Sequence, residues 1–237
     1  MAKLKTIVID GKEIAIVSIA EAKRRGLGVT TKHTGKMRDN WSISTSAVMN
    51  PFCRNRARSK NGKCICTKCY ANRMVRMYRN LENMLARNTN LLTTQVLDFV
   101  PDFSKKKIPY ARLEAFGDVI NCIQEVNYLN TAEGNPEIGF AQWTKNPAII
   151  AHTFKKYGRQ KPKNLRIGYS SPIIDHPVSL EEIQKVFPFI DFVFTVWSSE
   201  EAAKKAGCEI NCGKRHCMTC KLCYEGCTVN EINELLK

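Results

Sequence analysis

Residues 138–197 read IGFAQWTKNPAIIAHTFKKYGRQKPKNLRIGYSSPIIDHPVSLEEIQKVFPFIDFVFTVW. Three short runs rich in β-branched and aromatic residues stand out: Ile138–Thr144, Leu165–Ser171 and Asp191–Trp197. Such runs suit a pleated, half-buried surface. Between the first two, Asn146-Pro147 opens a helix that runs to Tyr157 and stops at Gly158. Proline fits the first helical position and glycine the left-handed stop. A second helix is predicted over Ser179–Phe187. Strand alternating with helix predicts parallel βα units, in an open sheet or a partial barrel.

The pattern extends towards the N-terminus. Tyr110–Phe116 supplies another strand, and a helix around Ile120–Thr131 follows it. Trp41–Val48 alternates like a first strand. A cysteine-bearing loop is expected from Asn50 to Cys69, then one long helix, Tyr70 to about Leu92, with Met74, Met77, Tyr78, Leu81, Met84 and Leu85 as its apolar stripe. Residues 4–17 read as a hairpin around Asp10-Gly11, a pair suited to positive φ. Ser18 is placed to cap a short helix, Ile19–Arg25. The hairpin is expected to act as a lid or an edge addition. Three regions result: residues 1–35 with the hairpin and short helix, 36–205 with the βα units, and 206–237 rich in cysteine.

The strand faces bear on function. Arg112 and Glu114 share one face of their strand, Gln142 and Thr144 share one, and so do Arg166, Gly168 and Ser170, and Ser42, Ser44 and Ser46. A sheet covered on both sides reads as more uniformly apolar. Arg112, Glu114, Gln142 and Ser170 are therefore expected in a polar lumen with room for a ligand. The competing reading is a face open to solvent.

Lys and Arg number 37 against 22 Asp and Glu, a formal charge of +15. That surplus favours a polyanionic partner, nucleic acid or an acidic protein. Basic residues concentrate at Arg54, Arg56, Arg58, Lys60, Lys63, Lys68, Arg73, Arg76, Arg79 and Arg87, with Glu82 as the only acid in the stretch. A solvated basic face, with part of it counter-charge for an anionic metal centre nearby, is the plainer explanation, since no groove-reading motif is visible. No run approaches the ~18 consecutive apolar residues of a membrane helix. Asp10, Lys12 and Glu13 interrupt the N-terminal apolar run, so no secretory signal is read and the chain is expected to be soluble and cytoplasmic.

Eleven cysteines in such a chain suggest metal or redox chemistry before disulfides. Cys217-Met-Thr-Cys220-Lys-Leu-Cys223 has two consecutive two-residue spacings, and Cys227 follows. This is the spacing of ferredoxin-type cluster loops, in which neighbouring thiolates cap separate irons. Zinc sites more often pair two separated knuckles. Cys212 and Cys227 both stand within reach as fourth ligand. Cys53, Cys64, Cys66 and Cys69 form a second group, between the first strand and the long helix. Loops at the carboxyl ends of parallel strands are where such sheets place ligands. Zinc or spare thiols remain the alternative. Cys122 reads as a buried core cysteine. No phosphate-binding glycine loop and no nucleophile–base pairing is visible, so nucleotide hydrolysis and acyl transfer have no support.

Several short stretches, in order, carry a resemblance. They are Asn50-Pro51-Phe52-Cys53, Cys66-Thr-Lys-Cys69-Tyr70-Ala71, Phe116-Gly117-Asp118, Gln142-Trp143-Thr144-Lys145, Tyr169-Ser170-Ser171-Pro172 and Asn211-Cys212-Gly213 through Cys217, Cys220, Cys223 and Tyr224. The chain resembles phage- and prophage-encoded iron–sulfur proteins of the gene-product-eighty-eight type, with a radical-SAM-like partial barrel. The resemblance implies an α/β fold with a partial (β/α) barrel of about five to six parallel strands, an N-terminal hairpin and a C-terminal cluster loop. It implies one iron–sulfur cluster, of the 4Fe–4S kind, on Cys53, Cys66 and Cys69, and an auxiliary cluster on Cys212, Cys217, Cys220 and Cys223. Cys64, Cys208 and Cys227 fall outside the matched pattern. S-adenosylmethionine would contact Phe116, Gly117 and Asp118, with an external electron donor in the bacterial host cytoplasm. Radical-SAM proteins space their three cysteines closely, whereas Cys53 stands well upstream of Cys66. The expected function is redox or radical chemistry. A basic cluster protein that binds nucleic acid or protein without catalysis, and a zinc-stapled structural protein, are the alternatives.

Overall fold

Six parallel strands in consecutive order form the main sheet. The computed structural model describes residues 5–97, 108–226 and 229–236. Its strands are β1 (Thr6–Ile9), β2 (Lys12–Val17), β3 (Trp41–Ile43), β4 (Val96–Leu97), β5 (Tyr110–Leu113), β6 (Gly139–Thr144), β7 (Leu165–Ser170), β8 (Phe192–Trp197) and β9 (Glu231–Leu235). The helices are α1 (Ile19–Arg24), α2 (Pro51–Ala57), α3 (Tyr70–Met77), α4 (Arg79–Leu92), α5 (Cys122–Glu133), α6 (Pro147–Tyr157), α7 (Leu180–Val186), α8 (Glu200–Lys205) and α9 (Cys217–Cys220). The main sheet runs β3-β5-β6-β7-β8-β9, every neighbouring pair parallel, and it is not closed.

A consecutive order with right-handed crossovers places the linking helices on one face. The core shows this. Ile43, Ala111, Leu113, Phe140, Leu165 and Ile167 of the sheet pack with Tyr128, Leu129 and Ala132 of α5, Ile150 of α6, and Leu180 and Ile183 of α7. The other face carries larger and more polar groups. Arg112 lies 3.7 Å over the Trp143 ring, Arg166 lies 5.3 Å over Phe192, and Trp143 meets Phe192 edge-on. Gly168 sits in the middle of that face because a side chain has no room. A Cβ there would lie 2.1 Å from the ring of Phe192, which is fully buried. Gly168→Ala is expected to cost about 3 kcal/mol, lowering Tm by roughly 6–12 °C in a thermal melt.

Several expectations need correction. The first strand stops at Ile43, and the chain then bends away. The long helix is two: Tyr78, at φ −125° and ψ 91°, separates α3 from α4. Met77 and Tyr78, expected in the apolar stripe, are exposed, and Ala71 and Val75 are buried instead. The expected cysteine loop contains α2, which Asn50 caps and Pro51 opens. The C-terminal region is not only a cysteine segment, since β9 joins the main sheet as its sixth strand.

The hairpin forms as expected, with Asp10 and Gly11 at φ 53° and 72°. It is no lid over the open face. β2 pairs with β4 in a separate sheet, and Ile9, Ile14 and Val96 pack on Val126 of α5 and Tyr157 of α6, outside the helix layer. Asp10 fastens it there. Its carboxylate accepts from Tyr157 Oη and Lys156 Nζ, each at 2.6 Å. Those two donors hold it well below the usual carboxylate range. No helix of the described residues is long and apolar enough to cross a membrane.

Candidate metal centres

The C-terminal cysteines gather on the open face of the sheet. Cys212, Cys217, Cys220 and Cys223 line one small cavity with Ile232 of β9 and Lys36. Each is placed by a different local device. Cys212 extends the sheet edge, its N–H donating to Asn233 O at 3.0 Å beside β9. Cys217 and Cys220 bracket the single turn of α9. That turn ends at Lys221, whose φ of 62° swings the chain so that Cys223 returns to the cavity. The loop is tied to the sheet beneath it. Arg166 Nη1 donates to Leu222 O at 2.8 Å and to Glu225 O at 2.5 Å. Asn40 Nδ2 donates to Tyr224 Oη.

Cations surround these sulfurs. Lys36 Nζ lies 3.3 Å from Cys212 Sγ and 2.5 Å from Glu234 Oε2. Burial works against its charge, but Cys212 and Glu234 beside it hold its pKa above the usual lysine value. The Arg112 charge acts on Cys217 and Cys223 across the open face. Burial nevertheless raises the thiol pKa of Cys212, Cys217 and Cys223. Buried thiols of this kind become thiolates only with a strong positive partner, which a metal supplies.

The second group lies at the carboxyl ends of the strands. Asn50 Oδ1 accepts from Phe52 N at 2.9 Å, and its Nδ2 donates to Asp118 O at 2.9 Å, so Cys53 is held in the first turn of α2. Cys66 sits in a 3₁₀ turn, Ile65–Lys68, and Cys69 closes that turn and opens α3. The loop is clamped to the segment after β7 by Ile65 N to Pro172 O at 2.9 Å and Ile174 N to Lys63 O at 2.8 Å. Cys53 and Cys69 pack with Phe116 and Met74. Burial pushes the Cys66 thiol up to about 11, against the pull of Lys145. Burial also raises Cys53, and the nearby Asp118 and Glu114 add to it.

No described cysteine is in a disulfide. Among the described residues, one trio offers ligand atoms all within 4.8 Å of one another: Asp10, Cys122 and His152. There the carboxylate is already taken by Lys156 and Tyr157 in fastening the hairpin. Among the described residues, no three thiols of either main group lie within 4.8 Å of one another. One tetrahedral ion with bonds of about 2.3 Å needs its sulfurs closer than this. A multi-iron cluster spreads them, since each thiolate binds a different iron. Cys64 is buried with its Sγ 3.6 Å from Arg56 O, and Cys208 Sγ lies 3.7 Å from Ala206 O. Neither lines the C-terminal cavity. Cys227 lies outside the described residues. Cys122 is a core cysteine, packed with Ile9 and Val126.

The polar side chains expected in a lumen divide between the two faces. Arg112 stands on the open face, with Nη1 3.6 Å from Met37 Sδ. Gln142 lies on the helix side, donating to Glu125 Oε2 of α5 at 2.8 Å. Phe140, Gln142 and Thr144 share that side because the register buries Phe140 under α5. Glu114 also turns to the helices. Its φ of 62° breaks the alternation, and Oε1 accepts from Gln124 Nε2 at 2.6 Å, Thr45 Oγ1 at 2.7 Å and Tyr128 Oη at 2.5 Å. Burial pushes Glu114 up to about 7 against those hydrogen bonds. Ser170 is buried at the end of β7.

In Phe116-Gly117-Asp118, Gly117 is squeezed: a Cβ would lie 2.6 Å from Glu114 Oε2 and 2.7 Å from Thr45 O. Asp118 accepts from Val119 N at 2.8 Å, Thr144 Oγ1 at 2.7 Å and Lys145 N at 2.8 Å, joining the ends of β5 and β6. Phe116 stacks on His33 with centroids 5.8 Å apart. Burial, with Arg112 nearby, lowers His33 to about 4, so the ring is neutral at pH 7.

A family model described as Gene product 88 matches residues 18–232. The chain belongs to that family. The Gene product 88 match begins at the cap of α1 and ends inside β9, so it contains both cysteine groups, and the hairpin precedes it. No curated protein and no solved structure matches the chain. Sequence reasoning missed the residues that the fold brings to the cysteines from afar. Lys36 stands 176 positions before Cys212 and carries no motif. Ile232 and Glu234 belong to β9, whose mixed polar sequence carries no strand signal. Lys145 was visible within Gln142-Trp143-Thr144-Lys145, but no role was assigned to it.

Proposed function

We propose that this protein is an iron–sulfur protein of redox function, its six-stranded sheet acting as a partial barrel that holds two clusters. The observation that carries the proposal is the cavity lined by Cys212, Cys217, Cys220 and Cys223. Four partly buried cysteines, with no disulfide among them and with Lys36 and Arg112 as cationic neighbours, match the donor set and charge balance of an anionic four-thiolate cluster. Cys53, Cys66 and Cys69 supply a second, three-thiolate set. The consecutive strand order and the single helix layer support the partial barrel. Anaerobic purification with iron and inorganic sulfide analysis tests the reading. A brown protein with iron and sulfide in matched amounts is expected. A colourless protein carrying zinc overturns it.

A three-thiolate set leaves one position of a four-iron cluster to an external ligand, and this favours a second reading, S-adenosylmethionine cleavage. Phe116 with His33 and Tyr70 forms an aromatic group beside Cys69, where such a ligand would lie. Reduction with dithionite in the presence of S-adenosylmethionine tests it. 5′-Deoxyadenosine supports cleavage, and its absence with clusters intact leaves electron transfer.

A further inference from the structure

The ion pairs recorded among the described residues all lie outside residues 49–79. Arg24, Arg25, Lys36, Lys156, Arg159 and Lys161 each meet a carboxylate. Residues 49–79 contain no acidic residue at all. They carry Arg54, Arg58, Lys60, Lys63, Arg73 and Arg76, every one exposed. The same stretch holds half of the large hydrophobic side chains that stand exposed among the described residues: Met49, Tyr70, Met77 and Tyr78. Tyr70, Arg73 and Met77 share the outward side of α3 by their spacing, opposite the buried Ala71 and Val75. Tyr78, 51% exposed, stands at the break between α3 and α4.

Unneutralised cations interleaved with exposed rings have a specific use. Cations track a phosphate backbone, and rings stack on bases, which are accessible only where bases are not already stacked in a duplex. We propose that this face, built from α2, α3 and the loop between them, binds single-stranded nucleic acid, with Tyr78 as a stacking platform. A membrane fits less well, because arginines interrupt the exposed apolar groups, which form no continuous stripe. The inference goes beyond cluster binding and does not rest on it.

Fluorescence anisotropy on the full chain tests it, with labelled oligothymidylate, a duplex of equal length, and vesicles containing phosphatidylserine as probes. Binding to the single strand at least about tenfold tighter than to the duplex is expected, with a salt dependence of roughly −0.7 per phosphate contacted. Arg73→Ala together with Arg76→Ala lowers the magnitude of that slope by about 1.4. Tyr78→Ala weakens binding about fivefold or more at an unchanged slope, and Tyr78→Phe restores it. Because the two arginines are exposed and unpaired, they keep the test decisive even where loss of Tyr78 disturbs the α3–α4 junction. No single-strand binding at about 0.15 M salt, equal affinity for duplex, or binding to the vesicles in its place overturns the proposal.

Discussion

Cys223→Ser is expected to remove one of the two proposed metal centres, cutting iron and inorganic sulfide by about half relative to the parent protein. Cys53→Ser is expected to remove the other half, and the double variant to retain neither. The argument is geometric. Cys223 returns to the cavity only because Lys221 takes φ 62°, and it lies within the field of Cys212, Cys217 and Cys220. Serine fills the place but is a poor thiolate substitute for iron. The loop depends on what it holds. Removing the centre leaves Arg166 and Asn40 as its tethers, with the Lys36 ammonium half-buried beside an unliganded thiol. Faster hydrogen exchange over 208–226 is expected in Cys223→Ser and not in Cys53→Ser. Equal iron loss from the two single variants, down to nothing in each, would show that the two groups share one centre.

The second large effect concerns buried carboxyls. Glu114 and Glu125 are fully buried, and burial raises each to about 7 from an ordinary value of 4.5. No ion pair offsets either one among the described residues. Below pH 4.5 both carboxyls are protonated whether the chain is folded or not. Between 4.5 and 7 the unfolded chain releases these protons and the folded one keeps them, so stability falls as pH rises. Above 7 the loss is complete, on the order of 3 kcal/mol per group. Glu125 shows how the fold accommodates the proton. Gln142 Nε2 donates to Glu125 Oε2, yet Glu125 Oε1 and Gln142 Oε1 are both buried without a partner. A proton on Glu125 turns one of these unsatisfied acceptors into a donor. Glu125→Gln places an amide N–H there permanently. The variant is expected to match the parent in stability at pH 5 and to exceed it at pH 8 by about 2 kcal/mol. Urea denaturation at the two pH values measures this. A variant less stable at both would show that Glu125 is ionised in the fold.

Some of this was legible in the residues. Alternating strand and helix signals over 110–197 marked the parallel sheet, and Asn146-Pro147 with Gly158 marked α6 nearly to the residue. Ser18 and Ser179 cap their helices as their types demand. Asp10-Gly11 marked the hairpin turn. The errors have physical causes. The stripe from Met74 to Leu85 keeps one helical period through Tyr78, and periodicity does not report a break made by one residue in the β region. Gln142 alternates correctly with Trp143, but alternation leaves open which side is covered; the burial of Phe140 under α5 decides it. Glu114 left its expected side because a positive φ redirects a side chain without changing the pattern of residue types. β9, with Glu231, Asn233 and Glu234 among its five residues, lacks the apolar run that marks a strand and is held by its place beside β8.

The residues alone set the spacing of the cysteines and the order of the βα units. Cysteine spacing and apolar periodicity are local properties, written within a few residues of one another. Tertiary structure alone decided what surrounds those thiols. Lys36 and Ile232 reach one cavity from opposite ends of the chain, and the Arg112 charge acts on Cys217 and Cys223, because consecutive parallel strands leave one face free of helices and the C-terminal loop folds onto it. A pairing that depends on contact across well over a hundred residues leaves no trace in either partner's own neighbourhood.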